Sequence, residues 1–321
     1  MKKKISSALL MLSLACAGAK AQSIIHVQDK LKIVVPSIIV LGNVQDGGSP
    51  HIGCTKNCCK DLFEHPDPAR MVSSLGVIDP ENKLNWLLDA TPNLPFQLKA
   101  LKKASGFTSK EVPDGIFITH AHIGHYAGLM YLGREALNAK QVPVYAMPKM
   151  KSFLENNGPW SQLVSLANIS IRPLENEKTN VLSSNIKITP FKVPHRDEFS
   201  ETVGYLIAGP HKKALFIPDI DKWSKWNKNI VDEIKKADYA FIDATFYDAA
   251  EMNNRPIAEI PHPLVVESME LFKNLSPQDK DKIYFIHLNH TNPLLNTESG
   301  QTKTVLKNGF HIARYNDIFE L

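Results

Sequence analysis

The chain has 321 residues and carries 37 lysines and arginines against 33 aspartates and glutamates, a formal net charge of +4. Four of those bases, Lys2, Lys3, Lys4 and Lys20, fall in the first 21 residues, which hold no acid, so the remainder balances 33 against 33. That balance gives nucleic-acid binding no electrostatic footing, and the 43% hydrophobic and 8% aromatic content is that of a globular protein large enough for one sizeable core.

Met1-Lys2-Lys3-Lys4 precedes an apolar run from Ile5 to Ala17, and Ala19-Lys20-Ala21 supplies small residues after it. This reads as a secretory signal peptide over 1–21, cleaved before Gln22, that sends the protein across the inner membrane to the periplasm. The run is too short to span a bilayer, and no later stretch is long and apolar enough. Ser13 stands where a lipoprotein signal usually has an aliphatic residue, which disfavours anchoring through Cys16. Residues 22–321 read as a single domain with a cysteine-rich insertion near 51–60.

Strand patterns rich in β-branched residues predict a first strand over Ile33–Leu41, then a glycine-rich loop over 42–50. Paired strands are expected at Ser73–Asp79 and Leu84–Asp89, and a helix at Leu94–Ala104. The apolar run Gly115–Ile118 predicts a strand, followed by a helix from about Ile123 to Leu137. A strand at Val142–Ala146 and a helix near Lys149–Asn156 come next. Further strands are expected at Ile169–Pro173, Ile186–Val193, Thr202–Ala208 and Ala214–Pro218. The last part predicts a helix around Trp226–Lys236, a strand at Tyr239–Asp243, a helix at Leu264–Leu275 and a strand at Lys282–His287. Two strands end in matching words, Asp89-Ala90-Thr91 and Asp243-Ala244-Thr245. The alternation suits an α/β fold of two packed sheets flanked by helices, a four-layer αββα sandwich.

Three imidazoles fall within six residues, His120, His122 and His125, directly after the Gly115–Ile118 strand. Side chains two apart in extended chain point the same way, so His120 and His122 can grip one ion. His125, one helical turn later, reaches a neighbouring position. His195, Asp219, His287 and His290 also sit at or just past strand ends, where an α/β architecture puts its chemistry. An odd, clustered trio, Cys54, Cys58 and Cys59, does not read as a disulfide framework in an exported protein; a structural zinc with a fourth ligand from elsewhere fits better.

At these residues the chain resembles the metallo-β-lactamase-fold hydrolases, over nearly all of its length past the signal. That family carries His-x-His-x-Asp-His, then a His, an Asp and a last His, each at a strand end. The resemblance implies that His120, His122 and His195 hold a first metal, His125 and His287 a second, and Asp219 bridges both. Within the superfamily it is most similar to the coenzyme PQQ synthesis protein B family, through Val40-Leu41-Gly42 with Gly47-Gly48-Ser49-Pro50, Phe241-Ile242-Asp243-Ala244-Thr245-Phe246, and Phe285-Ile286-His287-Leu288-Asn289 with Thr291-Asn292-Pro293. Related phosphodiesterases of phosphonate metabolism share the cysteine-rich insertion and a His-x-x-His near the end. Gly124 departs from the pattern: the superfamily has Asp there, so the second site keeps His125, His287 and Asp219 at most. The cysteine spacing also departs, being Cys54-x-x-x-Cys58-Cys59 instead of Cys-x-Cys-x-x-Cys.

The expected function is that of an exported metal-dependent hydrolase acting on a small-molecule ester or phosphodiester through a metal-bound hydroxide, the ion lowering the pKa of its water from 15.7 to roughly 7. One or two zinc ions are expected at the histidines, with iron or manganese as alternatives. A further structural zinc is expected on Cys54, Cys58, Cys59 and His290, against the rival of a vicinal Cys58–Cys59 disulfide. His262, in Ile260-Pro261-His262-Pro263, is a candidate general acid beside Asp219 as the catalytic carboxylate. Asp89 and Asp243 either orient ligand histidines or cap loop backbone. Two other readings stay open: an iron- and oxygen-dependent oxidative enzyme related to PQQ biosynthesis, and a non-catalytic binding protein with a degraded second metal site. Substrate and oligomeric state have no signature in the sequence.

Overall fold

Fourteen strands, all drawn from apolar runs or their edges, make up the two sheets of the computed structural model, which describes residues 33–252 and 260–321. They are β1 (Ser37–Gly42), β2 (Ser74–Asp79), β3 (Leu84–Leu88), β4 (Gly115–Phe117), β5 (Val142–Ala146), β6 (Ile169–Pro173), β7 (Asn180–Val181), β8 (Lys187–Lys192), β9 (Val203–Ala208), β10 (Lys213–Ile217), β11 (Tyr239–Asp243), β12 (Ile283–Ile286), β13 (His311–Ile312) and β14 (Ile318–Glu320). The expected signal peptide, its cleavage point before Gln22, and Cys16 lie outside the described residues. Among those residues no helix is long and apolar enough to cross a membrane.

One sheet has the order β14-β1-β2-β3-β4-β5-β6, the other β13-β12-β11-β10-β9-β8-β7. Each sheet is antiparallel at one side and parallel at the other. The parallel pairs run from β3 to β6 and from β10 to β13. Parallel strands point their carboxyl ends the same way, so β3, β4, β10, β11 and β12 deliver their following loops to one edge, and loops at such an edge carry the chemistry of open α/β sheets.

Side-chain alternation assigns the layers. Ile38 and Val40 of β1 pack between the sheets with Phe117, Tyr205, Phe216, Phe241 and Ile286, while Ile39 and Leu41 face the helices. On the second sheet Leu215, Ile217, Ala240 and Ile242 face outward to helices such as Ile230–Lys235 and Val265–Leu271. Helices Leu94–Ser105, Pro148–Asn156 and Trp160–Ser165 cover the first. This is the four-layer αββα sandwich. Truncating a fully buried ring such as Phe216 or Phe241 to alanine would cost about 3–5 kcal/mol.

Several element boundaries differ from the sequence-based expectation. The first strand begins at Ser37, after Pro36, which has no N–H to give the ladder. The expected helix from Ile123 to Leu137 is one α-turn, Ile123–Tyr126, followed by a 3-10 segment, Ala127–Leu132. Gly128 is the cause: a Cβ there would overlap the Thr91 carbonyl, so the chain runs backbone against backbone. The helix expected at 226 starts at Ile230, where the Asn229 side chain accepts the Val231 N–H. Helices Trp160–Ser165, Pro277–Lys280 and Gly300–Lys307 and strands β7, β13 and β14 were not anticipated.

Candidate metal centre

The shared edge gathers every histidine-site residue singled out in the sequence. His120 and His122 follow β4, His125 lies in the short α-turn, His195 follows β8, Asp219 follows β10, and His287 follows β12. His120 Nε2 is 2.9 Å from His122 Nδ1. Asp219 is central: Oδ2 lies 3.3 Å from His120 Nε2, 3.5 Å from His125 Nε2 and 3.8 Å from His287 Nε2, while Oδ1 lies 3.4 Å from His195 Nε2. The ligand atoms of His120, His122, His195 and Asp219 all lie within 4.8 Å of one another, and those of Asp46, His125, Asp219 and His287 form a second such set.

Asp46 is the residue that sequence reasoning missed. Its Oδ1 is 3.0 Å from His125 Nε2 and 3.1 Å from His287 Nε2. The expectation that Gly124 leaves at most three side chains at the second position is therefore corrected, because a fourth arrives from the loop after β1. Its only sequence signal was the glycine-rich surround, Gln45-Asp46-Gly47-Gly48, which reads equally well as a turn.

Two Asp–Thr pairs orient the imidazoles. Asp89 directly follows β3 and accepts the Thr119 N–H at 2.8 Å, the Thr119 hydroxyl at 3.0 Å and His125 Nδ1–H at 2.8 Å. With its proton given to Asp89, Thr119 Oγ1 accepts from His120 Nδ1 at 3.0 Å, which leaves His120 Nε2 as a lone pair. The second half repeats the device: the Thr245 hydroxyl donates to Asp243 at 2.7 Å and accepts from His287 Nδ1 at 3.0 Å. Asp89 and Asp243 thus do both things expected of them, since Asp243 also accepts the Ile220 N–H at 3.1 Å.

Ionisation follows from this packing. Burial holds the His120 imidazole well below its usual range, and His125 adds to the effect. Burial also takes His195 down to about 4, against the pull of Asp219. Both rings are therefore neutral near pH 7, the state a metal requires. Burial alone would raise Asp219, but His195, His287 and His262 around it hold it well below the carboxylate range. Asp46 behaves likewise, burial being outweighed by His125 and His287. His262 Nδ1 lies 2.9 Å from Asp243 and 3.1 Å from Asp219, and these carboxylates overcome burial to lift it to about 10.

The donor set fits a metal ion. Two ligands about 2.0–2.1 Å from a common tetrahedral centre lie roughly 3.3 Å apart, and the separations above bracket that value. Both ring nitrogens of His195 and Asp219 Oδ1 are buried without a hydrogen-bond partner. Buried polar atoms are costly in that state, and an ion facing them would supply what is lacking.

The cysteines form a separate cluster. Cys54, Cys58, Cys59 and His290 bring their ligand atoms within 4.8 Å of one another. The sulfur separations are 3.7 Å for Cys54–Cys58 and 3.9 Å for Cys58–Cys59, and all three thiols are free. Thiolates about 2.3 Å from a tetrahedral zinc lie roughly 3.8 Å apart, whereas a disulfide needs about 2.05 Å. His290 Nδ1 engages Asn289 Oδ1 at 3.0 Å and leaves Nε2 for the cluster; burial, with His51 and Lys56 nearby, takes the ring to about 4. His51 is not in the cluster: it stacks on His290 at 4.4 Å and donates its backbone N–H to Cys59 Sγ.

Comparison with known proteins agrees with the architecture. The family model described as Beta-lactamase superfamily domain matches residues 85–288. The chain is 24% identical over 300 residues to Coenzyme PQQ synthesis protein B of Xanthomonas oryzae pv. oryzae, covering 86% of this chain and 97% of that protein. The protein of the same name from Methylococcus capsulatus is 24% identical over 306 residues with the same coverage. Among solved structures, the Zn(2+)-bound PqqB from Methylobacterium extorquens superposes with a TM-score of 0.72 at 19% identity, covering 89% of this chain and 100% of that one. A diphosphatase from the PhnP family gives 0.61 at 21% identity, covering 89% and 97%.

Proposed function

The chain belongs to the Beta-lactamase superfamily, and on that premise we propose that it is an exported metal-dependent hydrolase acting on a small phosphodiester or ester. The observation that carries the reading is the pair of ligand sets sharing Asp219, with His195 and Asp219 Oδ1 buried and unpartnered. A bound ion of the zinc, iron or manganese kind would activate water and polarise a phosphoryl or carbonyl oxygen. His120, His122, His195 and Asp219 would hold the first ion; His125, His287 and Asp219 belong to the second set. Two ions sharing a carboxylate suit phosphoryl transfer, and the fold neighbour named a diphosphatase supports that substrate class. No serine or cysteine nucleophile is invoked.

The chain's own residues then have distinct tasks. Thr119 and Asp89 fix the proton on His120 Nδ1 and so aim its Nε2 inward. Thr245 and Asp243 do the same for His287. His262 gives its Nδ1–H to Asp243 at 2.9 Å, and in the cationic ring that Asp243 and Asp219 favour, Nε2–H is the proton it would give a leaving oxygen as general acid. A structural zinc on Cys54, Cys58, Cys59 and His290 would staple the insertion after β1 to the loop after β12.

The test is turnover of bis(p-nitrophenyl) phosphate by the metal-loaded protein. Activity that disappears on chelation and in His122→Ala supports the reading. Stoichiometric metal binding without ester turnover, together with oxygen uptake by the iron-loaded protein, would replace it with the oxidative one. The binding-protein reading rested on Gly124 and loses that footing once Asp46 stands in the second set. The export part rests on the amino-terminal sequence alone; recovery of a periplasmic form beginning at Gln22 checks it, and a cytoplasmic form retaining Met1 refutes it.

A further inference from the structure

We infer that Asp46 has taken over the metal ligand that Gly124 gave up, so that Asp46 and Gly124 are two halves of one exchange and the second metal position is complete. The inference rests on the dinuclear reading above and adds to it a residue and a steric rule.

The first support is exclusion. A Cβ built on Gly124 would lie 2.5 Å from both Cγ and Oδ1 of Asp46 and 2.7 Å from its Cα. The Asp46 carboxylate therefore occupies the ground that any side chain at 124 would enter, and residue 124 can only be glycine while Asp46 is there. The second support is how the carboxylate is used. Among the described residues its only polar side-chain neighbours at hydrogen-bond distance are His125 Nε2 and His287 Nε2, at 3.0 and 3.1 Å, and it caps no N–H of its own loop, which is the ordinary job of an aspartate in a turn. Its side chain is 14% exposed.

The third support is placement. The loop that carries Asp46 is tied down on both sides by backbone bonds. Val44 N–H goes to Met71 C=O at 3.0 Å and Ser73 N–H to Val44 C=O at 2.8 Å. Across the sheets, Gln45 N–H reaches Leu288 C=O at 2.9 Å and Leu288 N–H reaches Asn43 C=O at 2.7 Å. The last two bonds hold Asp46 beside the residue that follows His287. The same two segments continue into Cys54 and His290 of the cysteine cluster, so one loop pair serves both sets.

The experiment is zinc titration of chelator-stripped full-length protein, followed by calorimetry and elemental analysis, with Asp46→Asn as the isosteric variant. The wild type is expected to take up two ions at the histidines. Asp46→Asn should keep the first and bind the second weaker by roughly a hundredfold, the upper end of what loss of a supporting contact costs. Gly124→Ala removes no ligand yet should weaken the same ion by displacing Asp46, and Gly124→Asp should not restore it. The inference is overturned if Asp46→Asn binds both ions as the wild type does, or if Gly124→Asp binds the second ion more tightly than wild type. A wild type that binds only one ion at the histidines overturns it too while leaving a one-metal hydrolase standing; a wild type that binds none overturns the hydrolase reading itself.

Discussion

Asp89→Asn isolates the orienting role of the buried carboxylate without disturbing the backbone. Asp89 has a φ of 66°, and asparagine tolerates that left-handed conformation as well as aspartate does. The carboxylate is fully buried and accepts from three donors: the Thr119 N–H, the Thr119 hydroxyl and His125 Nδ1. An amide has one acceptor oxygen. If it serves Thr119, the new NH2 faces His125 Nδ1–H donor to donor. The ring then moves its proton to Nε2, the atom that points at Asp46 and Asp219 and that an ion would need. Losing one charge-assisted bond to a buried group costs about 2 kcal/mol, or roughly 3 °C in Tm for a domain of this size, and the wrong tautomer should weaken the second ion about 10–100-fold. Scanning calorimetry of the stripped protein and zinc titration measure the two effects. A variant with unchanged Tm and unchanged affinity for both ions would refute the orienting role.

Cys54→Ser should lower the zinc count by one ion per chain while leaving the histidine-site ions bound; an unchanged count, or only one titratable thiol in the native wild type, would rule out the cysteine zinc. Asp79 predicts a pH signature. It is buried at the end of β2 and receives Ser183 Oγ at 2.6 Å and Asn185 Nδ2 at 3.2 Å from the turn before β8, which clamps the two sheets together. Burial alone would raise its pKa, but these bonds and Asn82 hold it below the ordinary carboxylate value. A depressed folded pKa contributes stability above about 4, lost as pH falls through the folded value. The stability gap between wild type and Asp79→Asn, read by urea unfolding, should thus be constant from pH 7 to about 5 and shrink below about 4; a gap that widens on acidification contradicts the argument. Gly128→Ala should destabilise by at least about 2 kcal/mol, as overpacking against backbone does, because the added methyl meets the Thr91 carbonyl and Leu94; an unchanged Tm would show that the 3-10 segment has room to move.

The long strands were legible because burial between a sheet and a helix layer demands unbroken apolar, β-branched runs, as in Ile38–Leu41 and Ala214–Ile217. The elements that escaped carry no such demand. β14 is three residues long and pairs with β1 across nearly the whole chain, through Ile38 with Phe319. The helix Gly300–Lys307 buries only Thr302 and Val305, too few positions to print a period on the sequence. The opposite error came from Ile123 to Leu137, where apolar spacing is helical but the approach of Gly128 to Thr91 tightens the chain into 3-10 turns. That contact is tertiary, and local spacing carries no record of it.

The candidate site divides along the same line. His120, His122, His195, Asp219 and His287 were legible because each is a ligand type standing just past a strand, so strand order alone brings them to one edge. Asp46 is also a ligand type just past a strand, β1, yet β1 is antiparallel to β2 and its neighbours gave no reason to bring its loop across to the second sheet. What does so is the pairing of Val44 with both Val72 and Leu288, a bridge between sheets that no pattern announces. Gly124 was the one local sign, and by itself it reads as a loss. A glycine immediately before a ligand histidine has a second meaning, however: it removes the Cβ and admits another segment's backbone to within contact of the site. An aspartate in a glycine-rich loop elsewhere in the chain is then the place to look for the carboxylate, because the steric room and the missing charge must be supplied by the same incoming segment.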